Sequence, residues 1–478
     1  MRRSEAYTDN LESAMSGSGS SLPAASILCA IAAAAHGASA LCPAEDTGLT
    51  LPPGFCASIF ADDIGHARHL VVAPNGVVYV NTRFRRNSGS TEPFPGGFLV
   101  ALKDTTGSGK ADVVERFGET YASGGTGGTG IGMYNGALFA EVDDKIMRFA
   151  LPAGAIVPPD RGEPVVTGLP VGGDHPMHPF AIDAAGLMYL DVASATNSCQ
   201  LQNRTARSPG ANPCTELKTR GGIWRYDAKR THQAFSQAER FATGIRNAEG
   251  FGIDTAGHRL FVTQHGRDQL QANWPDLYKP EQEATLPAEE LLLLTQDGDY
   301  GWPECYYDPV QAALVLAPEY GGDGGKRRGV CTRKLAPIAA FPAHWAPDGM
   351  AFYKQQQFPA HYRGGVFIAF HGSWDRAPYT QQGYNVVFQP LAGGASGGAC
   401  EIFADGFAGG QKSPGTALHR PTGIAVAPDG ALFVSDDVRG RIYRIEYRGA
   451  PGMEGANASF TPCPSAMAPA GPSTLPAL

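Results

Sequence analysis

Gly423-IAVAPDGALFVSD-Asp437 is the most regular copy of a phrase that recurs along the chain: an apolar run, a turn containing glycine, and a second apolar run. Its Pro-Asp-Gly is a turn signal with a mechanism, because proline presets φ and glycine takes a left-handed position without penalty. Apolar runs of strand length on either side make the phrase a β-hairpin. Five further copies follow the same plan: His69-LVVAPNGVVYV-Asn81, Gly132-MYNGALFAEV-Asp143, Phe180-AIDAAGLMYLDV-Ala193, Phe251-GIDTAGHRLFVT-Gln264 and, in degenerate form, Met350 to Phe370. A single-strand phrase precedes most of them, as Ser58-IFADDI-Gly65, Glu163-PVVTGL-Pro170, Arg240-FATGI-Arg246 and Glu401-IFADGF-Ala408. Outer strand, then inner hairpin, at unequal spacing, is the order of propeller blades with insertions and excludes a helical solenoid. The expectation is an all-β fold, a six-bladed β-propeller with inter-blade insertions. Residues near Phe55 to Ala61 complete the last blade and close the ring, which removes exposed sheet edges. In the largest insertion, roughly 269–330, the run Pro287-AEELLLL is rich in helix formers and is expected to be helical.

The rest of the composition fits this frame. Of 478 residues, 61 are Gly and 37 are Pro, too many turn formers for long helical bundles. A formal charge of -8, with 18% charged residues, leaves no electrostatic footprint for nucleic acid. Ser21 to Ala40 is apolar and ends in Ala38-Ser39-Ala40, the pattern of a secretory cleavage site, with Met15 an alternative start. The stretch is Ala-rich and only marginally long enough to span a bilayer, so no stable membrane insertion is expected. Three segments follow: a leader at 1–40, a propeller domain at 41–449, and a Pro/Ala/Ser-rich tail at 450–478 expected to be loose. A periplasmic or secreted location agrees with the cysteines. Eight lie outside the leader, an even number that reads as disulfides. Cys199 with Cys214 and Cys305 with Cys331 each close a short, turn-rich excursion, while Cys42, Cys56, Cys400 and Cys463 cannot be paired from sequence. No Cys-x-x-Cys-His is present for a covalent haem.

Polar residues stand at one phase ahead of the hairpins. Counted back from the turn glycine, Arg68 is eight residues before Gly76, His175 eleven before Gly186, Arg246 and Asn247 eleven and ten before Gly257, and Arg420 ten before Gly430. Innermost strands of a propeller run in one direction along the central channel, so a shared phase gathers these residues at one mouth. Such a cationic ring suits a small planar polyanion held by paired guanidinium contacts. It suits a cation on the channel axis poorly, because that would want carboxylates there.

The same residues lie in longer pieces: Gly173-Asp174-His175, Gly244-IRNAEG-Phe251, Thr263-QHGRDQL-Gln271, Asp299-YGWPECYYD-Pro309, Phe367-IAFHGSWDR-Ala377 and His419-RPTGIAVAPDGALFVSDD-Val438. In combination they resemble the glucose/sorbosone dehydrogenases, soluble quinoproteins that bind pyrroloquinoline quinone (PQQ) and Ca²⁺ on a six-bladed propeller. The likeness is closer to the sorbosone and pyranose dehydrogenase branch, since His371 to Arg376 stand where the glucose branch has a lysine. Thr422 replaces a second arginine of that branch, and Ser194 stands where a carboxylate orients its catalytic histidine.

The resemblance implies oxidation of a sugar or sugar aldehyde, of the L-sorbosone or aldose and pyranose type, with electrons passed to an external acceptor such as a cytochrome or quinone. His175 would be the general base, its ordinary pKa of roughly 6.5 suiting the task, with His178 a competing candidate. Arg246, Asn247 and Arg420 would hold PQQ, with Arg68 reaching the same mouth. His371 and Arg376 would cover the ring, and Trp374 would stack on PQQ or sugar or pack between blades. Main-chain carbonyls of Gly266 and Arg267 would hold Ca²⁺, with Asp268 a helper, and Tyr300-Gly301-Trp302-Pro303 would shape a blade corner. Two alternatives stay open at this level: a Ca²⁺-dependent propeller lactonase, and a non-catalytic propeller binding sugars or partners. Gly394-Ala395-Ser396-Gly397-Gly398 opens no helix, so serine-hydrolase chemistry is unsupported. The Gly-rich string from Gly124 to Gly132 precedes a propeller strand and is not a dinucleotide fingerprint.

Overall fold

The computed structural model describes residues 42, 45–84, 96–254, 258–449 and 460–464. The leader with its cleavage motif, the turn glycine Gly257 and most of the tail lie outside the described residues.

All six hairpin phrases form the inner two strands of a blade, and the six blades are the main sheets, four of them four-stranded and two extended to five strands. Their innermost strands are Ala67–Val72, Ile131–Tyr134, Phe180–Ile182, Ala248–Asp254, Pro347–Phe352 and Pro421–Val426. Each packs beside the next around the channel, and the last returns to the first. The single-strand phrases are the fourth strands counted from the channel, Glu163–Thr167, Arg240–Thr243 and Glu401–Ala404, the first and last of which carry a short fifth strand outside them. Phe55–Ala61 pairs antiparallel with Ile442–Tyr447 in the sixth blade, so the ring is closed by strands from both ends of the domain.

Closure is held by packing as well as by the ladder. Phe55 makes edge contacts with Phe358, Tyr362 and Phe403, with ring centroids 4.8 to 5.4 Å apart, between the fifth and sixth blades. Phe55→Ala leaves a void where four rings meet and is expected to cost about 3 kcal/mol. A urea midpoint shift with an unchanged slope would measure it; an unshifted midpoint would mean that the closing strand adds little.

Two expectations are corrected. The run at Pro287-AEELLLL is a strand, Glu289–Leu294, between Arg259–Gln264 and Ala339–Phe341 in the fourth blade. Five of its six residues are buried, on both faces, and that burial outweighs the helix propensity of Glu and Leu. The tail is also tied down in part. Thr461 and Pro462 pair with Ile402 and Glu401, and Cys463 is bonded to Cys400. The Cys199–Cys214 and Cys305–Cys331 pairs form as expected, and Cys42–Cys56 anchors the start of the domain to the closing strand. Among the described residues no helix is long and apolar enough to cross a membrane.

Candidate active site

Four innermost strands begin with a register break: between Ala67 and Leu70, Ala248 and Phe251, Pro347 and Gly349, and Pro421 and Ile424. A bulge at a strand start re-aims side chains next to a site, and here three of the four aim Arg68, Glu249 and Asp348 into one opening. The strands approach closely enough there to require glycine. A Cβ on Gly349 would lie 2.1 Å from the carbonyl oxygen of Thr422.

The opening leads into a cavity of about 280 Å³, near the lower end of small-ligand pockets. His175, Arg68, Arg246, Asn247, Arg420 and His371 all line it, together with Gly266 and Trp374. The phase argument therefore gathers these residues at one mouth. Arg376 and Arg267 are not brought there by their side chains. Arg376 is buried behind the 371–383 loop, its Nη1 donating to the carbonyls of Ala284 and Ala343. Arg267 turns its guanidinium to Glu319.

The mouth is not the cationic ring that the sequence suggested. Arg68 Nη1 lies 3.0 Å from Asp437, and its Nη2 lies 3.2 Å from Asp348 and 3.7 Å from Glu249. His371 Nε2 is 2.9 Å from the other oxygen of Asp437, and His265 Nε2 is 3.2 Å from Asp348. Counting back from turn glycines missed these acids for a physical reason. Glu249 and Asp348 sit in bulges that break the count, and Asp437 follows the second strand of its hairpin. Each was visible in a quoted motif or beside a degenerate repeat, had the starts of all inner strands been aligned.

Charges in the cavity are strongly coupled. Burial opposes ionisation of Asp348, yet His371 and Arg68 hold its carboxyl well below the usual range. Glu249 makes no hydrogen bond among the described residues, and burial, only partly offset by Arg68, pushes it up to about 7. Asp191, on the second strand of the third blade, is also fully buried, and burial, then the neighbouring Glu249, raises it well above the carboxylate range.

His175 has a defined orientation. Its Nδ1 lies 2.9 Å from the carbonyl oxygen and 3.0 Å from the hydroxyl of Ser194, whose own proton goes to Thr196 O at 2.7 Å. A carbonyl only accepts, so Nδ1 carries the proton and Nε2 keeps its lone pair. Burial, and then Arg246, lowers the imidazole pKa well below its ordinary 6.5, which keeps the ring neutral. Ser194 thus orients the ring without a carboxylate. His178 is 1% exposed, with Nδ1 on Glu141 at 3.2 Å and Nε2 on Pro170 O at 3.1 Å, so neither nitrogen faces the cavity.

Arg246 is the keystone of the opposite wall. Its Nε donates to Asn197 O at 3.1 Å, Nη1 to Gly266 O at 3.0 Å, and Nη2 to Asn197 Oδ1 and Asp268 Oδ2 at 3.0 and 2.9 Å. Trp302 Nε1 donates to the same Asn197 carbonyl at 3.0 Å, so the Tyr-Gly-Trp-Pro corner braces this wall. Arg420 donates to His371 O and Gly372 O and lies over the Tyr384 ring. Asn247 Oδ1 has no hydrogen-bond partner among the described residues. Arg204, which the sequence reading did not single out, bridges Asp174 and Asp268 at 2.9 and 3.0 Å and lies 6.0 Å from the ring centroid of Trp374.

A family model described as TrAA12-like matches residues 49–448. A pyrroloquinoline quinone-dependent pyranose dehydrogenase of Coprinopsis cinerea is 25% identical over 236 residues, 44% of this chain and 31% of that protein. With a second curated relative matched over 48% of its length, the chain spans about a third to a half of the curated proteins it matches. Among solved structures, Trichoderma reesei Carbohydrate-Active Enzymes Family AA12 superposes with a TM-score of 0.65 at 18% identity, over 84% of this chain and 97% of that one. The holo pyranose dehydrogenase PQQ domain of C. cinerea gives 0.64 at 18% identity, over 85% and 98%.

Proposed function

The chain belongs to the TrAA12-like family, and on that premise we propose that it is a PQQ- and Ca²⁺-dependent dehydrogenase of a sugar or sugar aldehyde, passing electrons to an external acceptor such as a cytochrome or quinone. The observation that carries this reading is His175: a neutral imidazole with Nδ1 committed to Ser194 and Nε2 left as a base, in a cavity walled by Arg68, Arg246 and Arg420.

The residues present fit a planar polyanion. The cavity has small-ligand size and four guanidiniums on its wall, those of Arg68, Arg204, Arg246 and Arg420, while the unpaired Asn247 Oδ1 would take a ring N–H of the ligand and not its carboxylates. Arg68, Arg246, Asn247 and Arg420 would hold PQQ, with His371 at its edge, and bound PQQ supplies the carbonyl that accepts hydride. Arg376 would act indirectly, by bracing the loop that carries His371. Gly266 would offer a Ca²⁺ ligand through the second lone pair of a carbonyl already bonded to Arg246, alongside the carbonyl of Arg267.

His175 takes the hydroxyl proton of the substrate on Nε2, while Ser194 stabilises the imidazolium through Nδ1–H. Trp374, 49% exposed at the rim, offers a flat apolar face to a sugar ring. Trp374→Ala is expected to raise KM about two- to tenfold, the weight of one aromatic contact, without moving the melting temperature. Unchanged steady-state constants across an aldose panel would remove Trp374 from the sugar site.

Glu249 and Asn247, whose carboxyl and Oδ1 make no hydrogen bond among the described residues, keep the lactonase as the second reading, but the other two acids at the mouth do not favour it. Asp348 and Asp437 are engaged by Arg68, His265 and His371 and are not offered to a metal. The four disulfides support a periplasmic or secreted location. The test is reduction of a dye acceptor by glucose, L-sorbosone and other aldoses after loading with PQQ and CaCl₂. Turnover that needs both additions is expected; turnover that ignores PQQ would overturn the reading.

A further inference from the structure

On the cavity wall, which Asp268 and His344 both line, one carboxylate oxygen each of Asp268 and Asp375 and one nitrogen of His344 lie within 4.8 Å of one another. They come from three loops: the one following Arg259–Gln264, the one preceding Pro347–Phe352, and the one following Val366–Phe370. A fourth group joins them from the insertion. Glu283 ends the short helix Pro280–Glu283, and its carboxyl lies against that of Asp375.

Three features say that this cluster is built to hold a cation. His344 Nε2 lies 2.7 Å from Glu283 O and 3.1 Å from Leu286 O, both pure acceptors, so Nε2 carries the proton and Nδ1 has the lone pair. Donation of the second ring nitrogen to a backbone carbonyl is the arrangement that orients a metal-ligating histidine. Glu283 is only 5% exposed, and its Oε1 makes no hydrogen bond among the described residues. Glu283 and Asp375 are carboxylates side by side, yet neither forms an ion pair among the described residues. The nearby Arg376 does not relieve them, since it is spent on main-chain carbonyls. Burial and the charge of Asp375 push Glu283 up to about 8, the response of an acid pair with no counter-ion.

We propose that Asp268, His344, Asp375 and Glu283 form a site for a divalent transition cation, Zn²⁺ or Mn²⁺, with a ligand set different from the carbonyls of the neighbouring Ca²⁺ site and with Asp268 committed to this site. A mixed imidazole and carboxylate set selects such ions over Ca²⁺, which takes oxygen alone. The ion ties the 371–383 loop, which carries His371 and Trp374, to the insertion and to Asp268. Asp375 already accepts the Gln269 amide at 2.7 Å, and the ion would extend that single contact into a clamp at the mouth.

The full chain, freed of metal with EDTA and given neither PQQ nor sugar, is titrated with Mn²⁺ and followed by continuous-wave and pulsed electron paramagnetic resonance. One tight Mn²⁺ per chain is expected, with ¹⁴N modulation from an imidazole and displacement by Zn²⁺. His344→Gln should abolish the nitrogen modulation, and Asp375→Asn should weaken binding at least tenfold. Glu401→Gln, at the distant pair with His361, should change neither. Bound Mn²⁺ without nitrogen modulation in the unaltered chain, absence of stoichiometric binding, or affinity in both site variants equal to that of the unaltered chain would overturn the proposal. The unaltered chain decides the first two outcomes, so they do not depend on how the variants fold.

Discussion

His175→Ala is expected to lower turnover by about 10²–10⁴-fold, the range a positioned general base contributes, while leaving PQQ affinity within a few-fold of its original value. The two effects separate because the side chain touches the cavity through one nitrogen and is otherwise occupied with Ser194. No charge is removed, since burial and Arg246 keep the imidazole neutral. The same shift has a sign in solution. A base whose pKa lies well below 6.5 stays competent as pH falls through the ordinary histidine range, so His175 in the cofactor-free chain should remain unprotonated at pH 6.5. A ¹⁵N-edited titration of the histidine side chains reads this directly. Full protonation at that pH, or His175→Ala retaining near-normal turnover, would remove His175 from the chemistry. His178→Ala is the control, and a loss confined to that variant would reassign the base.

Arg68→Met should be the most destabilising single change in the channel. It leaves Glu249, Asp348 and Asp437 buried around an apolar side chain, and breaking a buried pair by removing one partner costs about 3–5 kcal/mol. The direction with pH follows from linkage. In the unaltered chain Asp348 titrates below its unfolded value, so its contribution is present above about pH 4 and is lost in acid. Without Arg68 the three carboxyls lose a shared counter-charge and shift upward, Glu249 furthest above its unfolded value, and the part of stability that Glu249 carries then falls as pH rises through it. Glu249, already near 7, leads this behaviour. Protonated His265 and His371 would partly replace the guanidinium at low pH. The deficit should therefore be largest near pH 7 and smaller at pH 5, as read from denaturant midpoints at both. A deficit independent of pH would mean that the side chain acts by packing alone.

Much of the ring was legible because each hairpin is local. Proline and glycine set the turn at Pro428 to Gly430, and the two flanking runs, buried over most of their length, pair as the inner strands of the blade. Closure by Phe55–Ala61 could be read for the same reason: an unpartnered outer strand stands before the first hairpin and is missing from the last. His175, Arg246, Asn247 and Arg420 shared a phase, and the fold turned that phase into one mouth. Glu249 and Asp348 escaped because a bulge adds a residue that no repeat count contains. The strand at Glu289–Leu294 escaped because two-sided burial is a tertiary fact, and a short run of leucines reads equally as buried helix or buried strand. The cluster of Asp268, His344, Asp375 and Glu283 had no signal in spacing, since its members come from four separate segments.

The account rests on the mouth being a quinone site, and binding tests this more directly than turnover does. The purified chain is titrated with PQQ in excess CaCl₂, following tryptophan fluorescence and heat together, with Trp374 at the rim as the reporter. One PQQ per chain is predicted, with affinity lost on Ca²⁺ removal and weakened at least tenfold in Arg246→Lys, which cannot keep the fork to Asn197, Gly266 and Asp268. A folded chain that binds no PQQ with Ca²⁺ present would contradict the central claim and leave the propeller as a scaffold for another ligand.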